Sequence, residues 1–334
     1  MIRSLTSVRV HKLSEIREEG ASSRERKSGV PGQTRGHTSV MLKEAVDMLD
    51  LHDGDVVIDG TAGQGGHSEA ILKRAQVALL SIDADGEAAA MTALRLQKLG
   101  ARAKAAQVAL GNFGDIKSIA HAHKIEAPSK ILLDLGWNMG QLESGRGFSF
   151  QKDEPLNMSY GEAPASGFTA AEILNTWEEK TIADVLFGYG EERFARRIAK
   201  AVAARREIAP IETTFELVEL ISDAVPGFYR HGKTHPATRS FQALRIAVND
   251  ELGVLRKFLD DSFGMLAVEG RIAIITFHSI EDRVVKQAFA KWAKEKKGRL
   301  LSKKPMVAGE EEITSNRPSR SAKLRGIEKI WNEK

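Results

Sequence analysis

The chain has 334 residues, 42% of them hydrophobic and 28% charged, the ordinary make-up of a globular protein and enough for about two domains. It holds no cysteine, which excludes disulfides and thiolate chemistry, and no apolar run long enough to span a bilayer. The formal charge of +4 is small but unevenly placed: Arg193, Arg196, Arg197, Lys200, Arg205 and Arg206 crowd together, and Lys and Arg gather again near the C-terminus, so a nucleic-acid partner and a solvated helix face both stay open.

Residues 1–36 are rich in Ser, Arg, Lys, Glu and Gly and read as a disordered tail. Their basic start suggests a mitochondrial presequence, but Glu15, Glu18 and Glu19 count against one; an upstream start site explains the segment equally well. Thr38 or Ser39 is then expected to cap a helix whose buried stripe is Met41, Leu42, Ala45, Val46 and Leu49. Val56-Val57-Ile58 reads as a buried strand. The turn Asp59-Gly60-Thr61-Ala62-Gly63-Gln64-Gly65-Gly66-His67 follows it, and then a helical stretch over 68–74. A glycine turn between strand and helix lets a ligand approach the main chain, although a plain connection has the same pattern. Asp59 would repel a pyrophosphate and suit a cationic amino group, such as the methionine end of S-adenosylmethionine. A second strand over 78–83 ends in Asp83, about 20 residues past the turn, where such folds place an acid on ribose hydroxyls.

Residues 87–99 look helical, 105–110 form a third strand closed by a turn over 111–115, and 116–123 look helical again. A fourth strand over 130–136 carries Asp134 near its end. Strictly alternating strands and helices predict an α/β, doubly wound parallel sheet, with Gly63, Asp83, Phe113 and Asp134 at its carboxyl edge. The alternation stops near Gln141. Residues 143–167 are loop-like, 170–206 strongly helical, and 214–224 a helix capped by Thr213 or Thr214. Strand character returns over 271–277. The simplest organisation is a sheet core over 37–142, a helical insertion over 143–238 and a second core part over 239–334. From Lys294 onward the chain reads as a basic, turn-rich tail with a loop over 316–320.

These residues resemble the ribosomal RNA small subunit methyltransferase H family, the 16S rRNA cytosine-N4 methyltransferases. The resemblance covers His37 to Arg325. It is carried by His37-Thr38-Ser39-Val40, the Asp59-to-Ser68 turn, Leu132-Leu133-Asp134-Leu135-Gly136, Arg146-Gly147-Phe148-Ser149-Phe150 and Tyr189-Gly190-Glu191-Glu192-Arg193. It continues in His235-Pro236-Ala237-Thr238-Arg239, the run from Phe277 to Arg283, and Ser321-Ala322-Lys323-Leu324-Arg325. The order and spacing of eight such runs make it specific. It implies a Rossmann-like class I methyltransferase sheet with an inserted helical domain, S-adenosylmethionine as cofactor, and 16S rRNA of the small ribosomal subunit as partner. It also implies a cytoplasmic location and no membrane association. Cofactor contacts would fall on Gly65, Gly66, His67, Asp83, Phe113, Asp134 and Gln141. The chain departs from the family in two places. Trp137-Asn138-Met139-Gly140 stands where the family has a small residue and Ser-Ser-Pro, and Asn157 and Ser159 replace an Asp and an Arg. Both changes bear on the expected target-base pocket.

Methylation of an exocyclic amine needs an acceptor on its hydrogens, because the cytosine N4 lone pair is delocalised into the ring. Asp134, or its neighbour Asn138, is the candidate acceptor, and Trp137 the candidate stacking partner of a flipped cytosine. The alternative makes Trp137 a packing residue and leaves Asp134 to the cofactor alone. Phe113 would pack on adenine or belong to the core, and His67 would touch the ligand or only begin its helix. Arg230, His231, Lys233, His235 and Arg239 read as a phosphate-contact loop. Arg283 would meet a phosphate or an acid, and His278 the RNA or a structural partner. The histidines lack metal-ligand spacing, so no metal is expected. Two other readings are an RNA-binding ribosome-assembly factor without catalysis and a DNA amino-methyltransferase. The oligomeric state is not readable, a homodimer being one option.

Overall fold

A computed structural model describes residues 38–136, 144–161 and 163–331. The tail expected over 1–36 lies outside these residues. The first half alternates as expected: α1 (Leu42–Leu49), β1 (Val56–Asp59), α2 (Gly66–Arg74), β2 (Ala78–Asp83), α3 (Gly86–Gln97), β3 (Ala106–Leu110), α4 (Ile116–Ala122) and β4 (Lys130–Asp134). The expected cap of α1 is not made. Met41, in the left-handed region at φ 49°, precedes the helix without a side-chain cap, and its N–H donates to Glu312 Oε1 at 2.7 Å, so the C-terminal region supplies the partner that Thr38 and Ser39 do not.

A helical layer follows: α5 (Ala170–Thr176), α6 (Glu179–Gly190), α7 (Ala195–Arg206), α8 (Thr214–Ala224), the short α9 (Gly227–Arg230) and α10 (Thr238–Asn249). Thr213 caps α8 in a reciprocal arrangement with Glu216. The apolar cluster of this layer draws on residues from Phe148 to Val248, past the boundary expected at residue 238, because Phe241, Leu244 and Val248 of α10 point into it. α6 and α10 cross closely at Gly190, where a Cβ would overlap the Arg239 carbonyl.

The core resumes with α11 (Glu251–Met265), β5 (Arg271–Thr276), α12 (Ser279–Lys294), β6 (Gly298–Leu300), α13 (Glu310–Ser315) and β7 (Lys323–Lys329). The seven strands lie in the order β3-β2-β1-β4-β5-β7-β6. β7 runs antiparallel to β5 and β6, so the sheet is not wholly parallel, and the segment read as a basic tail supplies two of its strands. This is the Rossmann-like class I methyltransferase sheet that the resemblance implies. Alternate residues feed the two faces. Ile58, Ile131, Leu133, Ile272 and Ile274 pack with Phe258 and Leu259 of α11 and with Phe289 of α12. Val57, Leu132, Ala273 and Ile275 pack with Ala45 and Leu49 of α1 and with Ile71 of α2. No described helix is long and apolar enough to cross a membrane.

Candidate active site

β1 and β4 are neighbours, and the strand order reverses between them, with β2 and β3 on one side and β5 on the other. The crevice beyond their carboxyl ends is the topological switch point, where ligands bind in such sheets. Asp59, Asp83 and Asp134 end β1, β2 and β4 at this edge.

Asp59 is fully buried. Its Oδ2 accepts from the Ser68 hydroxyl at 2.6 Å, its Oδ1 from the Thr61 N–H at 3.3 Å, and Ser68 Oγ lies 2.7 Å from Ser81 Oγ. The carboxyl therefore closes the glycine turn from inside and, fully buried, exposes no surface to the amino group expected beside it. The central position of β1 puts its last residue beneath the turn. Asp83 is differently placed. Half-buried, it accepts from the Gly63 N–H at 2.7 Å and from the Asp85 N–H at 2.9 Å. Each oxygen keeps a second lone pair, so the carboxylate is aimed and can still accept from a ligand. Gly63 and Gly65 adopt φ of 53° and 76°, which side chains resist. Thr92 of α3 holds the turn by donating to the Gly63 carbonyl at 2.9 Å.

His67 does more than begin α2. Its buried ring places Nε2 3.1 Å from the Val40 carbonyl and Nδ1 3.7 Å from Asp134 Oδ2. A carbonyl only accepts, so Nε2 donates to it, and Nδ1 offers an N–H toward the acid only in the doubly protonated ring. The Asp134 N–H donates to Thr61 Oγ1 at 2.6 Å, and Asp134 Oδ1 accepts from the Gly136 N–H at 3.0 Å. Thr61, a member of the glycine turn to which sequence reasoning gave no role, thus links β1 to Asp134. Burial pushes all three carboxyls above the ordinary carboxylate range. His67 pulls Asp59 and Asp134 partly back, and the backbone N–H groups of Asp85 and Gly63 do the same for Asp83. Phe113 meets Phe258 edge-on at 5.6 Å and stays half-exposed, so it belongs to the core and still presents ring surface. Trp137, Asn138 and Gln141 lie outside the described residues.

The substituted Asn157 makes a local turn. Its Oδ1 accepts from the Ser159 N–H at 2.8 Å, a bond an aspartate would make equally well, and the Ser159 hydroxyl donates to the Gly161 carbonyl at 3.0 Å.

The expected RNA-contact residues divide into two groups. Arg230 and Lys233 are exposed, Arg230 lying 3.4 Å from Asp223. His235 stacks on Phe150 at 4.5 Å, and burial lowers its pKa. Arg239, Arg283 and His278 instead hold protein. The Arg239 guanidinium donates to the Glu191 carbonyl at 2.8 Å. Arg283 and Ser279 donate to the Glu191 carboxylate at 2.6 and 2.8 Å. His278 caps α12, with Nδ1 accepting from the Glu281 N–H and Nε2 2.9 Å from Glu281 Oε1. Of the alternatives open for Arg283 and His278, the structure therefore provides the acid and the structural partner. Glu191 is the residue that sequence reasoning missed. It stands inside Tyr189-Gly190-Glu191-Glu192-Arg193, where its place in a motif beside a glycine was the available signal.

Among the described residues, Glu251, His278 and Glu281 bring two carboxylates and an imidazole within 4.8 Å. Their atoms are already engaged: Glu251 accepts from the Tyr160 hydroxyl and from Arg245, and a metal on His278 Nε2 would force a proton onto the Nδ1 that accepts at the cap.

The MraW methylase family matches residues 34–330. Ribosomal RNA small subunit methyltransferase H of Synechocystis sp. is 45% identical over 298 residues, 88% of this chain and 93% of its own. The proteins of the same name from Treponema denticola and Carboxydothermus hydrogenoformans are 43% and 41% identical, each over 88% of this chain and over 97% and 98% of their own. With this match running from the first described helix through β7, the chain belongs to the MraW methylase family.

Proposed function

We propose that the protein transfers a methyl group from S-adenosylmethionine to N4 of a cytidine in 16S rRNA of the small ribosomal subunit. One observation carries this reading in a methylase-family chain: two carboxylates, Asp83 and Asp134, are fixed by backbone donors on the rim of the switch-point crevice. The residues present suit the cofactor. Gly63 leaves the turn open, with nothing near the place of a Cβ, and Asp83 has lone pairs free for ribose hydroxyls. Gly65, Gly66, His67, Asp83, Phe113, Asp134 and Gln141 would hold it, Phe113 against the adenine. When bound, it supplies an electrophilic methyl group on a sulfonium.

The chain's own residues do the rest. Asp134, or Asn138 beside it, accepts from the N4 hydrogens, which restores the nucleophilicity of the amine and stabilises the cation that forms. The Gly136 N–H holds the Asp134 carboxyl in place, and His67 stands beside it. Trp137 stacks on the extruded cytosine, as chemistry on a nucleobase requires the base out of its stack. The proton leaves N4 after transfer, so no dedicated base is needed. Arg230, Lys233 and His235 would contact the RNA phosphates, while Arg239 holds Glu191 beside them. Such a substrate places the protein in the cytoplasm.

The test is incubation with labelled S-adenosylmethionine and unmodified small ribosomal subunits, followed by nucleoside analysis. Label in N4-methylcytidine is the expected result. Cofactor binding without label would favour the assembly-factor reading and point to residues 137–140. The Trp137→Ala variant separates the two roles of that side chain: a rate equal to wild type would eliminate stacking.

A further inference from the structure

On the helical layer, one cation lies over three aromatic rings. The Arg193 guanidinium carbon is 5.0 Å from the ring centre of Phe194, 5.3 Å from that of Phe228 and 4.8 Å from that of Tyr229. Phe194 meets Phe228 and Tyr229 edge-on, at 6.2 and 4.9 Å. The group is anchored from below. The Tyr229 hydroxyl donates to Glu192 Oε2 at 2.6 Å, and the Phe194 N–H donates to Glu192 Oε1 at 2.8 Å. Glu192 is fully buried, and burial together with this carboxylate pushes the Tyr229 hydroxyl up to about 12. On this fixed base Phe228 is 70% exposed, a large ring held in water by a short turn.

The surroundings are cationic. Arg193, Arg196, Arg230, His231, Lys233 and Arg239 are all exposed on the adjoining segments. The nearby acids are committed: Glu191 to Arg283 and Ser279, Glu192 to Tyr229, and Asp223 to Arg230. Positive charge around an exposed ring disfavours an apolar protein partner and suits a phosphate chain carrying bases. The location points the same way. Glu191 is two residues from Arg193, at most about 7 Å along the chain. It grips the start of α12 directly after β5, the strand paired with β4. The aromatic group therefore adjoins the contact between the helical layer and the carboxyl edge of β5, the neighbour of the strand that carries Asp134.

We propose that Phe228, backed by Arg193, is a stacking subsite for an unpaired base of the RNA beside the target nucleotide. It rests on the RNA-methylating reading and deepens it: the enzyme grips a single-stranded neighbour by its ring face while the target cytosine occupies the crevice. Stacking is tolerant of base identity, so the subsite adds affinity and register and reads no letter of the sequence.

Two measurements test it together. Steady-state methylation of unmodified small subunits is compared for wild type, Phe228→Ala, Phe228→Leu and Phe228→Trp. In parallel, binding is followed by fluorescence of an unstructured RNA oligonucleotide carrying 2-aminopurine. Phe228→Ala should raise KM by about 10-fold or more, with kcat changing less and cofactor affinity unchanged. Phe228→Leu keeps apolar area but has no ring face and should behave as the Ala variant, while Phe228→Trp should restore wild-type values. Binding to wild type should change the 2-aminopurine signal, and Phe228→Ala should abolish that change. Wild-type KM in Phe228→Ala, full rescue by Leu, or no binding of the oligonucleotide to wild type would each overturn the subsite. A variant that only dissociates a dimer in sedimentation would reassign the ring to a protein interface. Wild type that binds the oligonucleotide with the expected signal but transfers no methyl group would refute the proposed activity and leave the stacking surface standing.

Discussion

Burial raises the pKa of the strand-end acids, and Asp134 at the crevice and Asp59 beneath the turn differ in what that does. In the proposed role Asp134 accepts from the amine most strongly when ionised, yet burial holds its carboxyl above its ordinary value, with His67 partly offsetting this. The activity of the wild type should therefore rise with pH through that raised value, and its acid limb should lie at higher pH than an ordinary carboxylate would give. Asp134→Asn should lower kcat by about 100-fold or more, and the acid limb of kcat/KM should vanish; a pH profile of both proteins checks this. Asp59 is sealed beneath the turn, bonded to Ser68 and Thr61 with His67 nearby. A carboxyl whose pKa is raised by folding gives stability that is complete below its unfolded value, about 3.9, and that is lost as pH rises through the folded value. Asp59→Asn cannot ionise, and the Ser68 hydroxyl can turn to meet the amide. Its Tm without cofactor should exceed that of wild type at neutral pH and equal it in strong acid, by calorimetry at both. A lower Tm at neutral pH would mean that the charged form is favoured in the fold.

At the scale of elements, the strands whose residues are apolar on both faces were legible, and β7 was not. Lys323-Leu324-Arg325-Gly326-Ile327-Glu328-Lys329 reads as a charged tail because four of its seven residues carry charge. In the fold those charges have partners from distant segments. Arg325 and Lys323 meet Asp282, and Glu328 meets Arg271 and Arg299. Burial alone would raise Asp282, but Arg325 and Lys323 hold it below its ordinary value. The intervening Leu324 and Ile327 are fully buried. Leu324→Ala should accordingly destabilise the protein by about 2–5 kcal/mol, the cost of a core cavity. Denaturant unfolding would measure it, and a loss below about 0.5 kcal/mol would mean that β7 is an appendage. The α1 cap failed for a related reason: Glu312, far away in sequence, supplies the acceptor.

For the whole molecule, the decisive contact joins the helical layer to the sheet. Glu191 sits in the left-handed region at φ 51° after α6 and gathers Ser279, Arg283 and Arg239. This brings Arg239, at the end of the cationic segment 230–239, to the start of α12 beside β5, and in the proposed reading a phosphate chain runs along that segment. RNA affinity should then fall steeply with salt. Removing one contacting cation, as in Lys233→Ala, should reduce the slope of log K against log salt by about 0.7, with little change in stability. Filter binding across a salt series checks this, and an unchanged slope would take Lys233 off the RNA path.

The sequence by itself determined the elements of the first half, the glycine turn, the acids at the ends of β2 and β4, and the family. These rest on local periodicity and short motifs, which survive in one dimension. Only the tertiary structure decided that Asp59 is sealed beneath its own turn, that Thr61 ties Asp134 in place with His67 beside its carboxyl, and that Arg283 and His278 hold protein. It also decided that a charged tail completes the sheet and that Phe228 stands exposed over Arg193. Each of these depends on which distant group arrives to bury, pair with or leave uncovered a side chain. Linear spacing carries no record of that.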